Sequence, residues 1–396
     1  MAWVLAVGLF IQLSGKVWLE SGSAYNTQVY LWLLLPALVY LLRKLVTRAW
    51  SLPSGHYLSW LLFLLWVGGS AFWAAGAEKS PLSLAKYGIF IALFLTAVHV
   101  LLTHHEVFFR RALCTGFVVV ALGALASLVY QFGWLDRPLA YRAFRIDRLG
   151  VGDFANYGWP VIAGIFHGAI AIWAVGYAVD KRTDSWVAIF WLGVFATLLL
   201  YVLLTYTRGA WFGLLGGCLA VVVLQNSRRG WLLLGLFTLG LLAAIFIWWD
   251  LLLFEMQSRQ LSGREQIWEY FFEVMRGHWL FGHGLGTPFT FVWPDGQSIS
   301  PHAHSLYLQQ VYDSGLVALS LMGMGLFGLA HKAWRLRNNP WVRLAFPALV
   351  FALIAMLTDV ERIFTRPNVY WTVFWLPVAV LLAVRDGHSG GENSES

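Results

Sequence analysis

The sequence is poor in charged residues. Only 12% of its 396 residues are charged, about half the fraction that a soluble domain of this length carries, whereas 59% are hydrophobic. It also contains 23 Trp and 28 Phe, more large apolar side chains than a surface in contact with water could accommodate. The composition therefore excludes a large soluble domain and indicates an integral membrane protein.

Cysteine is nearly absent as well. Cys114 and Cys218 each lie inside an apolar run, so we expect packing residues without a disulfide, and they do not indicate a redox compartment. The first residues, MAWVLAVGLFIQLSGK, lack a basic leader and an Ala-x-Ala cleavage site, which predicts an uncleaved first span. The net charge of +7 does not indicate a nucleic-acid partner here, because residues that orient the chain and residues that bind anions compete to explain it.

Apolar runs that can cross about 30 Å of hydrocarbon, or nearly so with their flanking residues, recur along the chain. They predict an all-α, polytopic membrane protein: a single transmembrane bundle of about twelve helices over residues 1–385. The polar tail, 386–396, is expected to be disordered. The predicted spans are 2–15, 27–42, 57–76, 87–103, 112–134, 157–179, 186–206, 209–225, 231–249, 307–330, 342–358 and 369–384.

The distribution of lysine and arginine predicts the orientation of the bundle. If the 43–56 loop is cytoplasmic, nearly every short loop on that side carries a basic pair or cluster, as the positive-inside rule expects. Both termini are then cytoplasmic, and the long 250–304 loop and the 359–368 turn face outward.

Arginines on the outer side are not explained by this rule. A guanidinium presents a fixed fork of donors that matches phosphate oxygens, so the excess predicts an anion-binding site. The alternative is ion pairing with the outer acidic residues Asp136, Asp147, Asp153, Asp295, Asp359 and Glu361. The basic residues left on the outer side are Lys16, Lys79, Lys86, Arg137, Arg142, Arg145, Arg148, Arg208, Arg259, Arg264, Arg276, Arg362 and Arg366.

The polar stretch 259–315 is the main candidate for a functional region. Ser262 and Glu265 form a capping box, which predicts a helix of about fourteen residues that ends near Gly277. Arg264 lies in its first turn, an unfavourable place for a cation beside the helix dipole. We therefore expect either an anionic ligand or an acidic neighbour at Arg264.

Three further arginines recur at every third residue of the 135–156 loop, namely Arg142, Arg145 and Arg148. A helical turn would align them on one face and make a ligand-binding surface. A solvated basic loop is the alternative.

Arg208 lies between two apolar stretches and is followed by Gly209, which predicts a tight outer turn. A lone arginine at a span end is usually an anchor that reaches the interface. If Arg208 turns inward, however, it becomes a buried cation and needs an anionic partner.

Two histidines, His302 and His304, precede the next apolar span in SPHAHSLYLQQ. No carboxylate–histidine set at metal spacing accompanies them, so no metal and no cofactor are expected. A histidine that is neutral near pH 7 can accept a proton from a sugar hydroxyl. The alternative is that each merely caps the helix that starts near Ser305. The nearby glycines Gly282, Gly284 and Gly286 predict a plain turn rather than a nucleotide fold.

Four of these stretches resemble the O-antigen ligase and polymerase superfamily, and the topology matches over most of the chain. The most specific is a His, then Asn, Ser or Gln, nine residues and Gly, which His304, Ser305 and Gly315 fit. TYTRGAWFG resembles the arginine-containing turn of the family and includes Arg208. LSGREQIW resembles the start of its periplasmic helix and includes Arg264.

A fourth stretch, RLGVGDFANYG, is similar to the arginine–glycine–asparagine loop of the family. The Asn-Pro that is often found there is Asn156-Tyr157 in this sequence.

The resemblance implies an enzyme of the bacterial inner membrane with a periplasmic active site. It would transfer a glycan from undecaprenyl diphosphate to lipid A–core oligosaccharide, without a metal and with inversion, in contact with membrane lipid. The implied catalytic residues are His304 as general base and Arg208 and Arg264 on the diphosphate. The implied contacts to the diphosphate or glycan are Arg142, Arg145, Arg148, His302 and Asn156.

Three alternatives stay open. An O-antigen polymerase would use another lipid-linked glycan as acceptor. A protein O-oligosaccharyltransferase often carries a Thr pair shortly after the motif glycine, whereas Gly315 is followed by LVALS. A transporter would be expected to place ionisable residues near the middle of the membrane, where His99 and His167 are the main examples.

Overall fold

The computed structural model describes residues 1–47, 55–250, 253–254, 257 and 263–385. In these residues eight helices are long and apolar enough to cross a membrane, and three shorter apolar helices accompany them. Together with Gly55–Ser70 they coincide with the twelve predicted spans. The all-α, polytopic fold class is confirmed. The predicted disordered tail, 386–396, and the residues Arg259 and Ser262 lie outside the described residues.

The helices are labelled here in chain order. They are α1 Ala2–Trp18, α2 Gly22–Val29, α3 Leu35–Val46, α4 Gly55–Ser70, α5 Pro81–His104, α6 Glu106–Leu128, α7 Pro160–Val179, α8 Ser185–Leu204, α9 Arg208–Gln225, α10 Arg228–Ile247, α11 Arg264–Val274, α12 Leu306–Arg335, α13 Pro340–Ala355 and α14 Leu376–Ala383. Short π-helical segments, Tyr30–Leu34, Val129–Trp134 and Trp371–Trp375, join α2 to α3, extend α6 and lead into α14.

Several helices begin with proline at the first position. Pro81, Pro160 and Pro340 open α5, α7 and α13, where the missing amide hydrogen costs nothing because that position has no partner within the helix. The start of α7 is thereby fixed soon after the 135–156 loop.

Helix α7 lies at the centre of the bundle and packs against α8, α9 and α13. Its close approach to α9 and α13 depends on small residues around Phe351 of α13. A Cβ at Gly168 would lie 2.5 Å from the Phe351 ring, and a Cβ at Gly213 would lie 3.0 Å from it. Small residues let helices pack closely in a membrane, where dispersion rather than water exclusion drives association. This packing brings the N-terminal end of α9 and the C-terminal end of α13 together.

Residues 263–304 form a small packed unit together with the start of α12. Helix α11 ends at Val274, earlier than expected, and its N-cap is Gly263 with φ 78°. Its side chains Ile267 and Phe271 are buried and contribute to a second hydrophobic cluster with Phe289 and Val311. An antiparallel pair of two-residue strands, β1 Phe291–Val292 and β2 Ile299–Ser300, follows with Phe291 opposite Ser300.

Helix α12 is broken at Gly315, where φ is 74° and ψ is −179°. A Cβ at this residue would overlap the carbonyl oxygen of Leu280. Backbone hydrogen bonds from the loop replace those that the helix loses: Leu316 N donates to Trp279 O at 2.8 Å, and His283 N donates to Tyr312 O at 2.7 Å. The glycine of the sequence motif is thus required by backbone conformation and by contact with the loop.

Candidate active site

His304 lies just before α12 in a strained backbone conformation. Its φ is 50°, in the left-handed region that non-glycine residues seldom adopt. The preceding residue, Ala303, is held through both of its backbone polar groups. The Trp268 indole donates to the Ala303 carbonyl at 3.0 Å, and the Ala303 amide donates to Oε1 of Gln309 at 2.9 Å. Residues 302–304, called the histidine turn below, are therefore fixed between α11 and α12.

His302 is in contact with His304. The two ring centroids are 4.1 Å apart, and the His304 amide donates to Nδ1 of His302 at 3.1 Å. The Ser300 hydroxyl donates to the His302 carbonyl at 3.0 Å. Through these bonds, His302 stabilises the turn that contains His304.

Arg264 forms an ion pair with Asp359, a residue that follows α13. The two side chains are 18% and 6% exposed. The predicted acidic neighbour of Arg264 is thus confirmed. Among the described residues, Nε of Arg264 is buried without a hydrogen-bond partner. A buried guanidinium donor that lacks an acceptor is a place where a ligand oxygen can bind.

Arg208 lies at the same carboxylate. It is the first residue of α9, and a Cβ at the following Gly209 would lie 2.6 Å from Oδ2 of Asp359. The Thr358 hydroxyl donates to the same oxygen at 2.9 Å. Tyr206, with φ 51°, makes the turn that was predicted at Gly209, and Gly209 instead gives Asp359 room beside the helix. Asp359 therefore interacts with Arg264 through an ion pair and with Arg208 through its charge.

A second buried carboxylate, Asp313, stands behind the histidine turn. It is 2% exposed and accepts two hydrogen bonds from Arg362, of which the one from Nη2 to Oδ1 is 3.0 Å long. Arg362 also pairs with Glu361. Gln309 Nε2 donates to Asp313 Oδ1 at 3.0 Å. The histidine turn, α12 and the segment after α13 are thereby joined by one polar network.

The protonation of the site follows from burial and from these arginines. Burial, the neighbouring His302 and the Arg264 guanidinium together lower the pKa of His304 to about 4. Burial also lowers the pKa of His302, as do Arg362 and Arg264, while Glu361 opposes the shift. Burial raises the pKa of Asp359, although Arg264 and Arg208 act in the opposite direction. His304 is accordingly neutral at pH 7 and able to accept a proton.

The three arginines of the 135–156 loop are not aligned on a helical turn, so that prediction was wrong. Arg142 has φ 57° in a turn, and residues 144–150 are irregular. Arg145 Nε donates to the Thr205 carbonyl at 2.8 Å, and Arg148 pairs with Asp147 at 2.8 Å. The Thr205 carbonyl and the Asp147 carboxylate are therefore preferred to a helical arrangement of these arginines. Arg145 still contacts the turn that leads into Arg208.

Asn156 shapes its own loop. Its Oδ1 accepts from the Gly158 amide at 2.8 Å, and its Nδ2 donates to Asp153. This turn precedes Pro160 and sets the start of α7. A contact between Asn156 and a glycan stays a prediction, as do such contacts of Arg142, Arg145 and Arg148.

Comparisons with known proteins agree with this geometry. A family model described as O-antigen ligase matches residues 193–323, a segment that includes Arg208, Arg264, His302 and His304. An O-antigen ligase of Pseudomonas aeruginosa is 24% identical over 384 residues, which is 96% of this chain and 90% of that protein. The chain is therefore similar to O-antigen ligases over most of its length. The resemblance seen in the sequence and the prediction of an enzyme are confirmed, whereas the roles of single residues stay predictions.

His302, His304, Arg264 and Arg208 form one group with Asp359. Sequence reasoning treated Asp359 and Glu361 only as general ion-pairing partners, and it missed Gln309 and Asp313. Their signal was weak but present: both are polar residues inside an otherwise apolar helix, spaced four apart and therefore on one face.

Two further observations concern metal ligands and cysteines. Within the part of the chain that the structure describes, no three His, Cys, Asp or Glu side chains are grouped as metal ligands. Cys114 and Cys218 are both free.

Proposed function

We propose that this enzyme transfers an O-antigen polysaccharide from undecaprenyl diphosphate to lipid A–core oligosaccharide. The proposal places the reaction at the periplasmic face of the bacterial inner membrane, with both termini in the cytoplasm and the 250–304 loop outside. The family supports the ligase reaction. The distribution of lysine and arginine supports the orientation.

The reaction is a single displacement with inversion. Neutral His304 accepts the proton of an acceptor hydroxyl of the core oligosaccharide, and that oxygen attacks the anomeric carbon of the donor sugar. The bond between this carbon and the phosphate oxygen breaks, and the electron pair leaves with undecaprenyl diphosphate. A positioned general base contributes about 10²–10⁴-fold to such a step.

Arg264 and Arg208 stabilise the leaving diphosphate. Negative charge develops on its oxygens as the glycosidic bond breaks, and fixed cations in a partly dehydrated site stabilise that charge strongly. The buried Nε of Arg264, which has no acceptor among the described residues, supports a direct contact with a phosphate oxygen.

Binding of the diphosphate would also activate the base. Arg264 lowers the pKa of His304, so a phosphate that neutralises this guanidinium raises that pKa. The histidine then becomes a stronger base only when the donor is in place.

The remaining predicted contacts are secondary in this proposal. His302 holds the turn of His304, and Arg145 supports the turn before Arg208. Arg142, Arg148 and Asn156 would meet the sugars or the outer phosphate.

The observation that carries the proposal is the position of neutral His304 near Arg264, whose Nε has no hydrogen-bond acceptor among the described residues. The decisive experiment is reconstitution with lipid-linked O-antigen and lipid A–core, without nucleotide or added divalent metal. We expect His304→Ala to reduce the rate by about 10²-fold or more. His278→Ala, an exposed histidine of the same loop, should leave it unchanged. Normal ligation by His304→Ala would contradict the proposal.

Lipopolysaccharide from a deletion strain separates the ligase from the polymerase. Loss of a ligase leaves bare core and intact lipid-linked polymer. Loss of a polymerase leaves core that carries a single repeat unit, and this result would overturn the choice of acceptor.

A further inference from the structure

The conformation of His304 needs support from outside the turn. A non-glycine residue with φ 50° is held in a sparsely populated region, and such a conformation persists only where neighbouring contacts fix it. The contacts that fix it act mainly on the preceding residue, Ala303, whose amide and carbonyl are both hydrogen-bonded.

Gln309 supplies the contact to the amide, and its orientation is fixed. Its side chain is fully buried, with Oε1 accepting from Ala303 N at 2.9 Å and Nε2 donating to Asp313 Oδ1 at 3.0 Å. Because a carboxylate accepts but does not donate, Asp313 allows only the orientation in which Oε1 faces the histidine turn. A flipped amide would lose both bonds.

Asp313 is held in turn by Arg362. The fork of the guanidinium donates to both oxygens of the buried carboxylate. This pairing joins α12 to the segment that follows α13, 49 residues further along the chain. The same segment carries Asp359, the partner of Arg264, three residues before Arg362.

We propose that Gln309, Asp313 and Arg362 form a positioning relay that sets the conformation of His304 and its alignment with Arg264. This inference rests on the proposed function, because it assumes that His304 is the general base. Gln309 and Asp313 are buried and do not touch substrate, so they are positioning residues and not catalytic residues.

Gln309→Leu tests the relay, with Gln310→Leu as its matched control. Gln310 is the adjacent buried glutamine, and in the described residues its amide nitrogen has no partner. In the reconstituted assay we expect Gln309→Leu to lower kcat by about 10- to 100-fold with the KM for lipid-linked donor unchanged, because a misplaced base slows chemistry without weakening binding. Gln310→Leu should stay within a few-fold of wild type in both constants.

A double-mutant cycle separates positioning from general destabilisation. In the His304→Ala background, Gln309→Leu should cause no further loss, since no base is left to align. A purely structural role would give losses that multiply, and that result would overturn the relay. Asp313→Asn keeps an acceptor for Gln309 but loses the charge facing Arg362, so it should give a smaller fall in kcat and provides a variant with minimal change in shape.

The outcomes also separate the relay from the proposed function. If His304→Ala is inactive while Gln309→Leu and Asp313→Asn turn over normally, the relay is wrong and the general base stands. If His304→Ala is fully active, the proposed function fails, and the relay with it.

Discussion

Two arginine-rich regions lie on the predicted outer face, and they are built differently. Around His304, Arg264 and Arg362 pair with carboxylates that are at most 6% exposed and lie 95 and 49 residues away. In the 135–156 loop, Arg148 pairs with its neighbour Asp147 and is itself 47% exposed. Both regions contain arginines at the ends of the helices of one bundle.

The difference shows that arginines grouped in sequence need not make a binding site. The 135–156 arginines are close along the chain, but Arg145 donates to a backbone carbonyl and Arg148 pairs with the adjacent carboxylate. The arginines at His304 are dispersed along the chain and brought together by α9, α11 and the segment after α13. An arginine that is held by buried partners distant in sequence has a fixed position, and catalysis requires such fixed positions.

Removing Arg362 should have the largest effect on stability. Arg362→Leu leaves the Asp313 carboxylate buried without its cation, and removing one partner of a buried pair costs about 3–5 kcal/mol. Arg148→Leu, its counterpart in the loop, should cost no more than about 1 kcal/mol, since an exposed pair contributes little. Thermal unfolding in detergent measures both. Equal losses from the two variants would remove the distinction between the regions.

Among the arginines, Arg264 should have the largest effect on catalysis when it is removed. Arg264→Ala deletes a cation on the leaving diphosphate, and we expect kcat to fall by about 10²–10³-fold. Arg148→Ala should change it by less than about tenfold. Single-turnover assays with lipid-linked donor measure the chemical step. A loop arginine as important as Arg264 would instead place the diphosphate at the loop.

The glycine at the break of α12 should tolerate no side chain. Gly315→Ala forces alanine to φ 74° and against the Leu280 carbonyl, which we expect to cost about 1–3 kcal/mol. Gly323→Ala, in the same helix with open space around its Cβ position, should be neutral or stabilising by up to about 1 kcal/mol. Melting temperatures of the two variants decide this. A neutral Gly315→Ala would mean that the loop yields to the helix.

The pH dependence should be the smallest effect near neutrality. Since His304 has a pKa of about 4 in the fold and about 6.5 when unfolded, the histidine is neutral above pH 6.5 in both states. Its contribution to stability is lost as the pH falls from about 6.5 to about 4, because the unfolded chain then binds the proton. The acid limb of kcat/KM should lie near pH 4. The limb of kcat should lie higher, because bound diphosphate neutralises Arg264. A kcat/KM limb at pH 6.5 would argue against a buried base beside Arg264.

Much of the fold follows from the sequence because hydrophobic runs report spans directly. All twelve predicted spans are helical. Arg264 could be chosen because a cation in the first turn of a helix departs from a local rule, whereas His304 and Arg208 were chosen from motifs that resemble the superfamily. Asp313 and Gln309 could not be assigned, since their role depends on Arg362 and on the contact between α12 and the segment after α13. The helical alignment of Arg142, Arg145 and Arg148 was wrong because spacing alone ignores the competing partners Thr205 and Asp147.

Because α12 is broken at Gly315, residues of the preceding loop act as hydrogen-bond partners of its backbone. Trp279 and Leu280 accept from the amides of Leu316 and Val317, and Tyr312 accepts from His283, so residues 279–283 complete the hydrogen bonding that the helix has given up. Removal of residues 279–283 alone would leave the amides of Leu316 and Val317 without their acceptors. Exchanging the loop between family members would require residues 279–283 and the 306–317 segment to move together.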